Sequence, residues 1–172
     1  MDINYEIERK YLISYPDMDL LEANASKTEI VQTYLRSEDG KTARVRKRGI
    51  KGEYIYYHTV KKKISSVRRI EDERVVSEEE YEELLKNADT SRNVVYKTRY
   101  CLDYRGQMFE IDVYPFWRDR AIMEIELSDE SQQIEFPPYI EIICEVTDDK
   151  RYTNASIAKA IPDDVLRGNK LE

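Results

Sequence analysis

Acidic and basic side chains recur along this sequence at spacings of two. Arg44 and Arg46 form one such pair, as do Lys61 and Lys63, and Lys97 and Arg99. Glu110 and Asp112 form an acidic pair, as do Glu124 and Glu126. Glu6, Glu8 and Lys10 make a mixed triplet, and so do Arg69, Glu71 and Glu73. In a β-strand residues i and i+2 point the same way, about 7 Å apart, so each set shares one face. A solvated face would account for any one of these strands. Such a face gains from mixing signs, however, and like charges placed close together repel. Several of these faces hold a single sign, which makes sense if an opposite charge comes to meet them. Glu and Asp oxygens suit hard divalent cations such as Mg²⁺ or Mn²⁺. Arg binds phosphate bidentately and Lys binds it as a point charge. A polyphosphate chelated by a divalent metal calls for both kinds of cluster in one cavity.

The elements that must position these residues are mostly strands. Period-two alternation predicts strands over 3–13, 29–37, 42–49, 53–62, 67–76, 94–104, 107–115, 121–128 and 139–147. Short polar turns such as Glu38-Asp39-Gly40 and Arg105-Gly106 predict antiparallel hairpins. Strands in this number without alternating helices point to a barrel or sandwich. Ser77 followed by Glu80 is a capping-box pattern, predicting a helix over 78–87. Two further helices are predicted at 16–24 and 154–161, the last ended by Pro162, with a loosely ordered tail after Asp163.

Composition bounds the answer. A chain of 172 residues fits one domain and can bury a core without disulfides or a structural metal. Charged residues make up 37% against the usual quarter or so, yet 14 tyrosines argue against disorder. A net charge of −7 argues against a nucleic-acid binder. No apolar run is long enough to span a membrane, and Met1 to Glu6 lacks the features of a signal peptide, which predicts a cytoplasmic protein. Cys101 and Cys144 have no CxxC spacing and read as buried strand residues. With His58 the only histidine, a His-based zinc site or a Ser-His-Asp triad has little to build on.

The ordered set of motifs resembles the CYTH domain, or triphosphate tunnel metalloenzyme, family. Glu6-Ile7-Glu8-Arg9-Lys10 is similar to its ExExK signature. Ala43-Arg44-Val45-Arg46, Thr59-Val60-Lys61, Arg69-Ile70-Glu71-Asp72-Glu73 and Lys97-Thr98-Arg99-Tyr100 follow in family order. Glu110-Ile111-Asp112-Val113, Glu124-Ile125-Glu126-Leu127, Glu145-Val146-Thr147 and Arg151-Tyr152-Thr153-Asn154 complete the series. The resemblance covers roughly residues 3 to 160 and implies a closed antiparallel barrel of about eight strands, forming a polar tunnel with a few flanking helices.

It also implies divalent-metal-dependent hydrolysis of a triphosphate bound in the tunnel, first of all inorganic tripolyphosphate. Nucleoside or thiamine triphosphatase, class IV-type adenylyl cyclase and a non-catalytic polyphosphate-binding module remain alternatives. Carried over by position, Glu6, Glu8, Asp112, Glu124 and Glu126 would hold Mg²⁺ or Mn²⁺. Lys10, Arg44, Arg46, Lys61, Arg69, Lys97 and Arg99 would bind phosphate. Catalytic duty would fall to Glu8, Lys10, Lys97 and Glu73. Glu145 and Arg151 have a structural role as readily as a functional one.

The expected partner is a triphosphate or polyphosphate, with neither nucleic acid nor membrane, and the chain is expected as a monomer or homodimer. Three features depart from the pattern. Lys61-Lys62-Lys63 stands where a Gly often follows the lysine, so either Lys61 or Lys63 could face substrate. Tyr114-Pro115-Phe116-Trp117 replaces a Gly-containing turn, with Trp117 read as a packing residue. Val67-Arg68-Arg69-Ile70-Glu71 lacks the histidine and aromatic of cyclase-like members, which argues against cyclase activity.

Overall fold

The computed structural model describes residues 5–65, 67–167, 170 and 171. Strand β1 (Tyr5–Ser14) is followed by helix α1 (Met18–Asn24), whose cap Asp17 accepts from the Asp19 and Leu20 amides. The chain passes directly into β2 (Ala25–Leu35), then β3 (Lys41–Ile50), β4 (Glu53–Lys63) and β5 (Arg68–Val76). Helix α2 (Glu78–Leu85) leads to β6 (Val95–Tyr104), β7 (Gln107–Val113), β8 (Arg120–Glu126) and β9 (Ile142–Glu145). A 3₁₀ turn at Lys150–Tyr152 and the one-turn helix α3 (Asn154–Ile157) follow.

Eight strands close into a ring. The order runs β5-β4-β3-β2-β6-β7-β8-β1, and β1 returns to β5 through Glu6↔Arg69. Every pairing is antiparallel, as the short turns predict. In two of the hairpins the turn residues Lys51-Gly52 and Arg105-Gly106 all have positive φ, the geometry that matches strand twist. The ninth strand adds no stave. It pairs with the later half of β1, on the edge that β5 has left (Tyr11↔Glu145).

The sequence pattern places these elements well, with instructive differences. β2 begins at Ala25 rather than 29, because Ala25 to Thr28 pair with Leu102 to Arg99 of β6. The last helix is one turn, not two. Residues 3 and 4 of the first predicted strand lie outside the described residues. The start of the tail is tied down, since the Asp164 carboxylate accepts from Arg151 and from the Tyr152 hydroxyl. Leu166–Arg167 then pairs with Lys170–Leu171. Cys101 and Cys144 are free and half-buried rather than buried.

Apolar packing holds the ring from three sides. Ile7, Tyr100, Phe109, Met123 and Ile125 face outward beneath Leu21 of α1 and Phe136 of the loop between β8 and β9. Val45 and Val76 lie under Tyr81 of α2. The third cluster is inside. Leu12, Ile122, Val95 and Tyr114 point inward and meet Tyr152, Ile157 and Ala158 of the C-terminal segment, with Trp117 packed alongside as expected. They plug one end of the ring.

Helix α2 shows only half of the predicted capping box. Ser77 Oγ accepts from the Glu80 amide at 3.1 Å, but the Glu80 carboxylate turns to Arg74 at 2.7 Å. Gly49 is a tighter constraint. A Cβ there would sit 1.9 Å from the Glu53 carbonyl oxygen across the β3–β4 hairpin. Gly49→Ala is therefore expected to cost about 1–3 kcal/mol, read as a lower urea midpoint at unchanged slope.

Candidate active site

Closing the ring turns strand parity into a lining. A cavity of about 510 Å³ opens inside it. β1 contributes Glu6, Glu8 and Lys10; β3 contributes Arg44 and Arg46; β5 contributes Arg69, Glu71 and Glu73. Arg99 enters from β6, Glu110 from β7, and Glu124 and Glu126 from β8. Both Lys61 and Lys63 of β4 line the cavity, which removes the register choice between them.

The two signs lie on opposing arcs. The β3 register with β2 and β4 carries the cations (Arg44↔Tyr34, Arg46↔Gln32, Arg44↔Thr59). The β1–β8–β7 register stacks acids (Glu8↔Glu126, Glu124↔Glu110). Ion pairs run both between strands of opposite sign and within the acidic arc. Lys61 Nζ meets Glu6 at 3.0 Å, Arg69 Nη1 meets Glu8 at 2.5 Å, Arg46 Nη2 meets Glu73 at 3.0 Å and Lys10 Nζ meets Glu124 at 3.4 Å.

The acidic arc is short of positive charge. Burial and then Glu124 raise the Glu8 carboxyl above its ordinary range. Burial raises Glu6 too, against the pull of Lys61. Glu126 is raised by burial and by Glu6, Glu110 and Glu8, and it makes no ion pair among the described residues. Glu124 behaves oppositely: burial raises it, but Lys10 and Arg99 outweigh that and hold it at about 2. On the cationic arc, burial and then Arg44 and Arg99 lower Arg46 to about 10. A divalent cation at the acids and an anion at the arginines would relieve both arcs, and the hard oxygen donors fit such an ion. As the side chains stand, no three carboxylates among the described residues converge on one point that would hold it.

Lys97 and Asp112 are placed differently from the expectation of ligands on the cavity wall. Their parity is inward, but they lie where the apolar plug fills the ring, Lys97 beside Ile30 and Asp112 beside Ile122. Lys97 Nζ meets Asp112 Oδ2 at 2.7 Å, with 0% and 1% of their side chains exposed. Arg99 grips the same carboxylate from Nε at 2.7 Å and Nη2 at 2.9 Å. Both Asp112 oxygens are thus engaged. Burial raises this carboxyl, but Arg99 and Lys97 outweigh it and hold it well below the usual range. Burial lowers the Lys97 ammonium to about 7 against the pull of Asp112. The pair sits behind Arg99 and sets its direction.

Other lining residues had been given no role, although Thr147, Thr153 and Asn154 fall within the late motifs of the series. Thr147, Asp148, Lys150, Thr153, Asn154 and Ser156 arrive with the C-terminal segment. That segment is pinned by Lys10 Nζ on the Tyr152 carbonyl at 3.3 Å and by Asn154 Oδ1, which accepts from the Tyr114 hydroxyl. Arg48 was within reach of the parity rule, being two residues beyond Arg46. Arg151 bridges Asp149 and Asp164, and Glu145 faces Arg9; neither lines the cavity. His58 lies on the opposite parity of β4 and does not line it either.

A curated relative, an inorganic triphosphatase of Nitrosomonas europaea, is 34% identical over 164 residues, covering 91% of this chain and 99% of that protein. The chain belongs to the CYTH, or triphosphate tunnel, family. A solved structure of the inorganic triphosphatase NE1496 superposes with a TM-score of 0.57 at 31% identity, covering 91% of this chain and 96% of that one. The PH1012 protein of Pyrococcus horikoshii shares the CYTH fold at a TM-score of 0.54 and 23% identity, over 72% of this chain and 80% of its own. No protein-family model matches the chain. No helix among the described residues is long and apolar enough to cross a membrane.

Proposed function

We propose that this chain hydrolyses inorganic tripolyphosphate to pyrophosphate and orthophosphate inside the ring. The observation that carries the reading is the sign-divided cavity, with arginines on one arc and carboxylates on the other. Phosphoryl transfer needs alignment and charge neutralisation more than covalent help, and this lining offers both. Arg44, Arg46, Lys61, Arg69 and Arg99 would take the phosphate oxygens.

Lys10, from the centre of β1, is placed to stabilise the transferring group. Glu8 and Glu73, each already in an ion pair, exchange that partner when substrate displaces the cation. Lys97 acts on the substrate through Asp112 and Arg99. Glu6, Glu8, Glu124 and Glu126 would hold a divalent cation, Mg²⁺ or Mn²⁺, while Asp112 is fully engaged elsewhere. Such a cation supplies charge neutralisation and Lewis-acid activation when bound.

A phosphate-release panel tests this with tripolyphosphate, ATP, GTP and thiamine triphosphate, each with Mg²⁺, Mn²⁺ and Ca²⁺. The expected result is fastest release from tripolyphosphate, and none with metal chelated. Glu8→Gln and Arg46→Ala should each lower that turnover at least tenfold with the circular dichroism spectrum intact. Near-normal turnover in both would remove the cavity as the site of reaction.

A further inference from the structure

The cations around this cavity differ in what already neutralises them. Lys10, Arg46, Lys61, Arg69 and Arg99 each hold a carboxylate. Arg44, Arg48, Lys63 and Lys150 line the same cavity and make no ion pair among the described residues. Arg44 is central and belongs to the triphosphate site proposed above. Arg48 is not central. It stands four residues beyond Arg44 on β3, paired with Ile55 of β4, on the side away from the Thr42–Lys61 rung where Lys63 follows.

Arg48 is nevertheless aimed. Its Nε donates to Thr28 Oγ1 at 3.1 Å, and Nη2 lies 3.8 Å from Cys101 Sγ. Both partners are neutral, so the guanidinium is oriented without being compensated. Leaving a half-buried charge in that condition costs stability, which an incoming anion would recover.

Length decides which anion. The Thr42–Lys61 rung and the Arg48 rung are six residues apart on β3, roughly 20 Å along the strand. A phosphoryl repeat has two backbone bonds where an amino-acid residue has three, so three units reach less than about 10 Å. Lys and Arg side chains each close several ångströms of that distance, but the Arg48 guanidinium is turned away from Arg44, held at Thr28, one inward position beyond its own partner Ile30 on β2. An uncharged organic substituent would leave Arg48 uncompensated, whereas a further phosphoryl group would not.

We propose that Arg48, aimed by Thr28 and Cys101, forms an additional anion subsite that takes the fourth and later phosphoryl groups of a linear polyphosphate. The chain then reads substrate length as well as the triphosphate unit. This deepens the function proposed above and rests on the same cavity.

The test is isothermal titration of tripolyphosphate and tetrapolyphosphate into the full chain in metal-free buffer, comparing wild type with Arg48→Gln. Wild type should bind tetrapolyphosphate at least fivefold more tightly than tripolyphosphate. Arg48→Gln should bring that ratio close to one, and Arg48→Lys should restore most of it. Thr28→Val keeps the charge but removes its anchor, so it should lower the ratio in part; it carries the test if Arg48→Gln fails to fold. An unchanged ratio overturns the proposal. Equal weakening toward both anions does so as well, since Arg48 would then belong to the triphosphate site. Orthophosphate release measured on the same preparation with Mg²⁺ or Mn²⁺ supplied separates the two claims. A wild type with the length preference but no turnover keeps the Arg48 subsite and sinks the proposed hydrolysis.

Discussion

Replacing Asp112 by Asn should lower the unfolding free energy by about 3–5 kcal/mol, the usual cost of breaking a buried ion pair from one side. The reason is local. Asp112 is 1% exposed and is the shared anion for Lys97 and Arg99, both nearly as buried. Asn keeps the shape and loses the charge, leaving two cations in a low-dielectric wall. Urea unfolding followed by circular dichroism measures this, and a loss under 1 kcal/mol would contradict the account. The same linkage gives wild type a pH signature. The folded Asp112 carboxyl is depressed, so its contribution is present above the unfolded value of about 4 and is lost as pH falls below it.

Arg44→Gln should act in the opposite manner, with a large effect on rate and almost none on stability. Arg44 is 8% exposed, makes no ion pair among the described residues, and its Nε is buried without a hydrogen-bond partner. Burial disfavours its charge, but Tyr34 and Glu71 outweigh that, so the guanidinium stays charged without a bound carboxylate. Removing a preorganised donor of this kind lowers turnover by roughly a hundredfold or more. The unfolding free energy should change little, because no carboxylate loses a bound partner. Arg46 offers the contrast, since Glu73 neutralises it and its removal strands that carboxylate. If Arg44→Gln both retained turnover and unfolded more easily, Arg44 would be a packing residue rather than a phosphate ligand.

Much of this site was legible in advance. Alternation along a strand is a local property, so one register assignment sorts every residue of that strand to the inner or outer face. Glu6, Glu8 and Lys10 therefore declared a common face, as did Arg44 with Arg46 and Glu124 with Glu126. The hairpin at Arg105-Gly106 was equally plain as a short polar turn between alternating strands, and both residues adopt positive φ. The net charge of −7 says nothing of where the charges sit: the acids crowd one arc and leave a cationic arc facing them.

Depth within the ring was not legible. Lys97 and Arg99 read identically as a cationic pair, yet Arg99 reaches the cavity and Lys97 is sealed behind it. What separates them is the plug made by Leu12, Ile122, Tyr114 and the C-terminal segment. The same holds for Asp148, Lys150 and Ser156, which carried no signal until that segment folds back over the ring. Its anchor, from Lys10 to Tyr152, joins residues 142 apart in the chain. Residue types and their two-residue period were thus sufficient for the charged faces and the antiparallel strands, because both arise locally, while the choice of a barrel over a sandwich came from the family resemblance. Which inward side chains meet the substrate, and how far the site extends, followed only from closure of the ring, because shear, plug and cap are set by packing between distant segments.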